Sequence, residues 1–341
     1  MVETMNYQVF NAHAQGENHK KSPEKECQDF SLSYVDTSKT RAIAIVADGH
    51  GSDNCFRSAT GSKIASEQAF HSIFRFIGTI EGDRGGGIFS KKTPPPPQEK
   101  WEKTLLPGLV KNIVAAWHTE VEKDHKAKPF STEEIACVAE KYQERYRKGE
   151  QLYRAYGTTL IAAAAASDYW FGIHIGDGKC TACYPDGSWE QPIPWDDKCF
   201  LNVTTSICDD DAIERVRVYY RNCTEKEMPV MVFINTDGVD DSYPAGDNEK
   251  HLAGLYRTIA LNFIDEIKAN PKDGFENGKK QAKEFLPDLS RRGSGDDVSI
   301  AALIDVDALK MLEPILRQQL GTEQGTKSGI TPPQTYNPAP Q

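Results

Sequence analysis

The order of apolar segments in this 341-residue chain predicts an α+β fold, a four-layer α-β-β-α sandwich with two central antiparallel sheets. Short apolar runs separated by turn residues, such as Ser167-Asp168 and Pro185-Asp186-Gly187, favour antiparallel hairpins over parallel crossovers. Segments with apolar residues at helical spacing lie between the groups of strands, so helices are expected outside the sheets. Several buried runs carry an acid at one tip, which predicts a metal site at one end of the sandwich.

The individual elements follow from the spacing of apolar residues along the chain. The segment 41–47 is the first largely apolar strand, and the segment from Cys55 to Ile77 has Ile64, Phe70 and Ile73 at helical spacing. Ser131-Thr132-Glu133-Glu134 is a typical helix start, with acids in the first turn. Predicted strands cover 6–12, 29–35, 41–47, 157–166, 169–176, 180–184, 203–206, 212–220, 229–235 and 297–304. Predicted helices cover 55–77, 99–125, 131–148, 249–268, 277–286 and 306–320.

These elements are predicted to form one domain over 1–320, with an insertion at about 79–150. The insertion opens with a Gly-rich stretch and then a Pro-rich one, and neither has apolar periodicity. We therefore expect 79–100 to contribute nothing to the core and to be dispensable for stability. The segment 321–341 is rich in Gly, Thr, Pro, Gln and Asn, which predicts a disordered tail.

The composition excludes several classes of partner. The net charge of −10 disfavours binding to nucleic acid or to anionic membrane surfaces. No apolar run approaches the roughly 18 residues needed to cross a bilayer, and the polar N-terminus lacks the apolar segment of a signal peptide. Eight cysteines at irregular spacings are typical of reduced thiols. We therefore expect a cytoplasmic protein with no nucleic-acid partner and no membrane partner.

Four apolar runs carry aspartates at one end. Two carboxylates about 4 Å apart repel by roughly 4 kcal/mol at an effective dielectric of about 20, so clustered acids are tolerated mainly when cations lie between them. Carboxylates are hard oxygen ligands, which select Mg²⁺ or Mn²⁺ over zinc. The tips therefore predict a metal site. They are Asp48-Gly49 after 43–47, Asp177-Gly178 after 171–175, Asp237-Gly238 after 231–235, and Asp296-Asp297 before 298–304.

Each tip also has a simpler interpretation as a turn. Asp-Gly is a common turn dipeptide, so a single example is more often a turn than a ligand. Turn chemistry does not explain why acids recur on strands far apart, with another acid four residues after Asp237 at Asp241. Gly49 has no side chain, so its carbonyl can also face the ions. His50 is placed to protonate an alkoxide leaving group, although a histidine in a turn often has no such role.

Short blocks of the sequence match a known family in order across residues 10–305. The ordered set resembles the metal-dependent protein serine/threonine phosphatases of type 2C, and the segments around His19 and Cys27 resemble a bacterial subgroup. This resemblance implies hydrolysis of phosphoserine or phosphothreonine on proteins by a water bridging two Mn²⁺ or Mg²⁺ ions, with a third, weaker ion. The blocks are Gln28-Asp29, Val46-Ala47-Asp48-Gly49-His50-Gly51, Gly157-Thr158-Thr159, Gly176-Asp177-Gly178, Thr236-Asp237-Gly238-Val239 and Ser294-Gly295-Asp296-Asp297-Val298-Ser299.

The resemblance also assigns site residues by position. His50 matches the general acid, and His19 is expected to contact the phosphate, because the family's upstream arginine is missing here. Gly157-Thr158-Thr159 is expected to be structural, a tightly packed strand start. The implied metal ligands are Asp29, Asp48, the Gly49 carbonyl, Asp177, Asp237, Asp241 and Asp296, of which Asp177 and Asp241 match the third, weaker ion.

The chain departs from the family pattern in two further ways. Gln28 stands where the family often has a glutamate, which is expected to weaken the second ion, and the 79–150 insertion is expected to cover or regulate the site. The implied partners are a phosphoprotein substrate and a cognate serine/threonine kinase in signal transduction, with the chain a monomer. Two alternatives stay open: a catalytically inactive regulatory or binding module with the phosphatase fold, and a small-molecule phosphoesterase.

Overall fold

Two five-stranded antiparallel sheets form the centre of the molecule. The computed structural model describes residues 5–21, 26–85, 93–199, 203–222 and 227–325. One sheet has the strand order β1-β10-β9-β6-β7 and the other β2-β3-β4-β5-β8. The strands are β1 (Tyr7–Ala14), β2 (Phe30–Val35), β3 (Ala42–Ala47), β4 (Leu160–Ala165), β5 (Tyr169–Ile175), β6 (Lys179–Cys183), β7 (Trp189–Glu190), β8 (Arg217–Asn222), β9 (Met231–Asn235) and β10 (Val298–Asp305).

Helices cover the outer face of each sheet. Their apolar sides pack on the sheets because the central strands are apolar on both faces. The α-helices are α1 (Ser58–Asp83), α2 (Gln98–Lys100), α3 (Leu106–Ala127), α4 (Thr132–Cys137), α5 (Glu140–Arg147), α6 (Leu152–Ala155), α7 (Ala212–Arg215), α8 (Asp237–Asp240), α9 (Asn248–Ala269), α10 (Gly274–Arg292) and α11 (Val306–Gly325), and a π-helical turn (Trp101–Leu105) joins α2 to α3.

The apolar core has three parts that correspond to the layers. Alternate residues of the central strands fill the space between the sheets, as Val46 of β3 and Leu303 of β10 do. Ile45 faces the other way and packs with α1 and α3, while Phe233 of β9 packs with α9, α10 and α11. The predicted α-β-β-α sandwich is therefore confirmed.

Strand register places the acidic tips at one end of this sandwich. Phe30 at the start of β2 pairs with Ala47 at the end of β3, and Leu160 at the start of β4 pairs with Ile175 at the end of β5. In the other sheet the end of β9, at Asn235, pairs with Ile300 near the start of β10. Because every one of these pairings is antiparallel, the tips meet at one edge of both sheets.

Several predicted boundaries differ from the structure. The predicted helix 131–148 is broken between α4 and α5, and α10 extends beyond 277–286 at both ends. The segment 203–206 is not a regular strand, and 212–220 begins with the short helix α7 before β8 starts at Arg217. Helix α11 continues to Gly325, five residues into the predicted tail, because each residue added to an existing helix gains a hydrogen bond without a new nucleation step. The rest of that tail, 326–341, lies outside the described residues.

The prediction that 79–100 contributes nothing to the core is wrong at the N-terminal end of that segment. Helix α1 runs on to Asp83, and Ile80 is buried in the core. Arg84 is buried and donates hydrogen bonds to Asp168 and, at 2.9 Å, to Glu81. The Gly-rich piece between 86 and 92 lies outside the described residues. Composition was misleading here because one buried arginine fixes a segment that has little apolar character.

The rest of the insertion packs on α1, close to the acidic end of the sandwich. Arg57, just before α1, donates to Glu134 of α4 at 2.7 Å and to the Tyr156 hydroxyl at 2.7 Å. The Tyr146 hydroxyl of α5 donates to the Asn54 carbonyl at 2.7 Å, so the insertion touches the loop that follows Asp48. The insertion therefore supports the site loop from outside, and its chain returns to the site at α6.

Candidate metal centre

Three acidic tips come together on the floor of one cavity. Asp48 follows β3, Asp177 follows β5, and Asp237 begins α8 directly after β9. One carboxylate oxygen from each lies within 4.8 Å of the other two. All three line a cavity of about 720 Å³ at this end of the sandwich. The sequence predicted this meeting of distant strand ends.

The backbone around Asp48 is held on both sides. The Thr158 hydroxyl and the Thr159 amide donate to the Asp48 carbonyl at 2.7 and 2.8 Å, and the Asp48 amide donates to the Thr159 hydroxyl at 3.0 Å. A side chain on Gly49 would place its Cβ 2.6 Å from the Gln28 carbonyl oxygen, so only glycine fits there. Gly157-Thr158-Thr159 is thus structural, as expected, and its threonines fix the loop that carries the first acid.

The loop carrying Asp177 is fixed by its polar neighbours. Gly176 has a φ of +111°, a conformation that favours glycine, and its amide donates to the Thr205 hydroxyl at 3.1 Å. Lys179 donates to the Asp177 carbonyl at 3.0 Å and lies 3.6 Å from a carboxylate oxygen of Asp240. This lysine places a positive charge beside the acids, which partly offsets their repulsion.

Helix α8 and the residue after it bring three acids to the cavity. Asp237 and Asp241, one helical turn apart, both line it. Asp240 also lines the cavity but is buried, and its carboxylate accepts a hydrogen bond from the Asn235 side chain at 2.8 Å. Burial raises the pKa of Asp240 to about 8, although the nearby Lys179 acts in the opposite direction. Asp240 is therefore already engaged with protein groups at the edge of the site.

The adjacent acids Asp296 and Asp297 have different surroundings. Asp297 is buried and accepts hydrogen bonds from the Gly16 amide at 2.6 Å, the Gln28 amide at 2.6 Å and the His19 Nδ1 at 3.0 Å. Asp296 is exposed at the cavity rim, and its carboxylate lies 4.0 Å from the His19 Nε2. Asp296 can face an ion, whereas Asp297 fastens three separate segments of the chain together.

Asp29 lies behind the cluster. It is buried, and its carboxylate accepts a hydrogen bond from the Thr236 hydroxyl at 2.6 Å. Burial, and then the neighbouring carboxylates, raise the pKa of Asp48 and Asp237 well above the usual range, and burial does the same for Asp29. Burial and mutual repulsion both oppose ionisation of these carboxylates. A divalent cation would stabilise the ionised forms, so this cluster of oxygen donors fits such an ion. The residues present therefore fit the predicted Mn²⁺ or Mg²⁺ ions.

His50 lies beside the floor of the cavity. Its backbone amide donates to the Gly157 carbonyl at 3.1 Å, and its ring packs so close to Gly157 that a Cβ there would lie 2.8 Å from the ring Cδ2. Burial, together with the charge of Arg154, lowers the pKa of His50 to about 4. The imidazole is therefore neutral at pH 7 in the absence of substrate.

Comparison with known families agrees with this geometry. The family model described as "Protein phosphatase 2C" matches residues 15–269, which is more than half of the chain. The chain belongs to the protein phosphatase 2C family. By family it is a metal-dependent protein serine/threonine phosphatase, as the sequence predicted. No curated protein sequence matches it significantly.

Three bacterial proteins of solved structure are similar to this phosphatase. A bacterial serine phosphatase is 14% identical, with 88% of this chain and 98% of that chain covered at a TM-score of 0.49. Serine/threonine phosphatase Stp1 from Staphylococcus aureus is 14% identical, with 88% and 94% covered at a TM-score of 0.47. PppA from Pseudomonas aeruginosa, described as a key regulatory component of T6SS, is 12% identical, with 88% and 98% covered at a TM-score of 0.48.

The structure of this phosphatase brings all the predicted site residues to one end of the sandwich. Asp48, Asp177, Asp237, Asp241 and Asp296 line the cavity together with Gly49, His50 and His19, and Asp29 lies behind them. Ligand atoms of Asp48, Asp177 and Asp237 lie within 4.8 Å of one another, and Asp296 groups in the same way with His19 and Asp297. Within the described residues, no helix is long and apolar enough to cross a membrane.

Sequence reasoning missed two features of the site. Asp297 was noticed only as the partner of Asp296 in an aspartate pair, because the sequence does not show which of two adjacent acids points inward. Arg154 and Arg215 also line the cavity, yet they lie far from every acidic tip in the sequence and carry no motif of their own. For Arg154 the available signal was its position three residues before Gly157-Thr158-Thr159.

Proposed function

We propose that this phosphatase hydrolyses phosphoserine and phosphothreonine on proteins with two Mn²⁺ or Mg²⁺ ions, and that a third ion binds more weakly. The observation that carries the proposal is the group of three carboxylates, Asp48, Asp177 and Asp237, within 4.8 Å of one another on the floor of an open cavity. The proposed ligands are Asp29, Asp48, the Gly49 carbonyl, Asp177, Asp237, Asp241 and Asp296.

When bound, the ions would supply a water of lowered pKa and would neutralise part of the phosphate charge. The chain's own contribution is to hold the acids in place before substrate arrives. Thr158 and Thr159 fix the Asp48 backbone, and Thr236 fixes the Asp29 carboxylate. A rigid set of donors loses little entropy on binding its ions, and the same rigidity sets where the phosphate lies.

We propose that His50 donates a proton to the departing serine or threonine oxygen. Its pKa of about 4 leaves it neutral before substrate binds. A negatively charged phosphate beside the ring would favour the protonated imidazole and so would oppose the effect of burial on the pKa. His50 would then carry its proton mainly in the complex with substrate, where the alkoxide leaving group needs it.

A panel of phosphopeptides, assayed beside phosphosugars with Mn²⁺ present, tests the proposed substrate class. Release of phosphate from phosphoserine or phosphothreonine peptides, with little from phosphosugars, is the expected result. Preference for phosphosugars would favour the small-molecule phosphoesterase instead. No metal-dependent release from any substrate, including p-nitrophenyl phosphate, would identify an inactive binding module.

The proposed cellular setting follows from this activity. A phosphatase acting on phosphoproteins opposes a serine/threonine kinase, so we propose a cognate kinase as partner in signal transduction. The acidic net charge of −10 favours a role away from nucleic acid and anionic membranes. We propose a monomeric protein in the cytoplasm.

A further inference from the structure

Two arginines stand on the wall of the same cavity that holds the acidic floor. Arg154 belongs to α6 and Arg215 to α7, and both line the cavity together with His50. A guanidinium nitrogen of each lies near the single carboxylate of Asp209, at 3.9 Å for Arg154 and 3.7 Å for Arg215. The Asp209 carboxylate is thus shared between the two guanidinium groups, and neither contact is as short as a hydrogen bond.

The two arginines are engaged to different extents. The Arg215 Nε forms an ion pair with an Asp211 carboxylate oxygen at 2.5 Å, so the charge of Arg215 is already paired close to α7. Arg154 is about half exposed, and its contact with Asp209 is longer than a hydrogen bond. A guanidinium carries five N–H donors in a fixed fork that matches two oxygens of a phosphate. Of the two, Arg154 has the greater capacity for a ligand.

The backbone holds Arg154 close to His50. The Gly157 amide donates to the Arg154 carbonyl at 3.1 Å, and the Gly157 carbonyl accepts from the His50 amide at 3.1 Å. On the other side, the Arg57 amide donates to the Ala155 carbonyl at 2.8 Å. The position of α6 beside the histidine is therefore set by hydrogen bonds, and the positive charge of Arg154 reaches the imidazole.

A phosphorylated side chain carries negative charge, so the cations among the residues lining the cavity are candidates to bind it. The chain has no arginine before Arg41, so the N-terminal segment offers only histidine and lysine. His19 has one ring nitrogen 3.0 Å from Asp297 and the other 4.0 Å from Asp296. Its two nitrogens therefore face carboxylates, which leaves less capacity for a phosphate than a guanidinium has.

We propose that Arg154 binds the phosphoryl oxygens of the substrate from the cavity wall. This inference rests on the proposed function, because it takes the ligand to be a phosphomonoester held over the metal centre. The guanidinium would orient the phosphate with the leaving oxygen toward His50. It would also compensate phosphate charge that the ions leave unneutralised.

The test measures binding and turnover separately. Inorganic phosphate is titrated calorimetrically into the Mn²⁺-loaded protein, and KM and kcat are measured on one phosphothreonine peptide. We expect Arg154→Met to weaken phosphate binding by about 10- to 100-fold and Arg154→Lys by less, since a lysine keeps the charge without the fork. Arg147→Met is the matched control, an exposed arginine on α5 whose loss should leave both measurements unchanged. Binding by Arg154→Met within about twofold of wild type would overturn the proposal.

Two further variants separate a phosphate ligand from a structural role. Asp209→Asn keeps an acceptor for the Ser206 amide, which donates to Asp209 at 2.9 Å, and removes the anion that competes for Arg154. Phosphate binding should then stay equal or become tighter. Loss in Asp209→Asn as large as in Arg154→Met would contradict the proposal. The proposal would also be contradicted if His19→Gln lost affinity for phosphate while Arg154→Met bound phosphate normally. That result would identify His19 as the phosphate ligand.

Failure of the proposed function gives a different result. A protein that binds phosphate in an Arg154-dependent way but hydrolyses no phosphopeptide would reject the proposed function and keep the binding role of Arg154. A wild-type protein that binds no phosphate with Mn²⁺ present would contradict the role of Arg154. Melting temperatures of all variants are compared with wild type, and a half-exposed arginine is expected to change them little.

Discussion

Replacing Asp297 with asparagine tests whether this buried acid holds the site together. The carboxylate is 3% exposed and accepts hydrogen bonds from the Gly16 and Gln28 amides, both at 2.6 Å, and from His19 at 3.0 Å. An asparagine has nearly the same shape but presents only one acceptor oxygen. Its NH₂ group would face the Gln28 amide, so that bond is lost, and the bonds from Gly16 and His19 are weakened because the charge is gone.

The size of the effect follows from these contacts. Each charge-assisted hydrogen bond contributes roughly 1.5–3 kcal/mol. Losing the Asp297 charge also relieves repulsion with the buried Asp29, which returns on the order of 1 kcal/mol. We therefore expect Asp297→Asn to lower the free energy of unfolding by roughly 3 kcal/mol, a large fraction of the stability of a typical domain.

Urea unfolding in the presence of EDTA measures the free energy of unfolding without any contribution from bound ions. Asp296→Asn is the matched control, because that side chain is exposed and its asparagine oxygen can still accept from the Asp297 amide, now at 2.8 Å. The control should stay within about 0.5 kcal/mol of wild type. If Asp297→Asn lost less than about 1 kcal/mol, the residue would not be the fastening point described above.

Three other outcomes are expected. Arg84→Met should lower the free energy of unfolding by about 3 kcal/mol, because it removes the buried partner of Asp168 and Glu81. In the same urea assay, the control Lys103→Met breaks an exposed ion pair and should have almost no effect. His50→Ala should slow a phosphopeptide more than p-nitrophenyl phosphate by a further factor of about 10 to 100, and equal losses in the two assays would contradict the acid role. Burial raises the pKa of Asp240 to about 8, so the folded protein binds this proton more tightly than the unfolded chain does. The metal-free protein should therefore lose free energy of unfolding as pH rises from about 4 to 8. Urea unfolding across that range should show a smaller decrease in the free energy of unfolding for Asp240→Asn than for wild type.

The meeting of the acidic tips could be predicted because apolar strands fix where their ends lie. Asp48, Asp177 and Asp237 each follow a run that is buried on both faces, and antiparallel pairing brings such ends to one edge. The roles of the residues around them could not be predicted in the same way. Asp297 bonds to Gly16, 281 residues earlier in the chain, and no local pattern reports such a contact.

The inserted segment is a second region whose contacts could not be predicted from the sequence. The Gly and Pro content of 79–100 indicated a loop without core contacts, yet Arg84 within it and Trp101 directly after it are buried. Trp101 stacks on Tyr220 of β8 with ring centroids 4.3 Å apart, a contact between residues more than one hundred positions apart. Tertiary packing decided the structure here, and composition alone carries no information on partners that distant.

The dependence of turnover on the metal tests the central claim most directly. Phosphate release from a phosphothreonine peptide is measured after removal of metal with EDTA and then across a titration with Mn²⁺, for wild type and for Asp237→Asn. We predict no phosphate release without metal and saturable release on adding Mn²⁺. We predict that Asp237→Asn lowers the rate of phosphate release by more than about 100-fold, because the variant lacks one charged ligand of the group formed with Asp48 and Asp177. Release that persists in EDTA, or an Asp237→Asn variant as active as wild type, would contradict the assignment of this site as the catalytic metal centre.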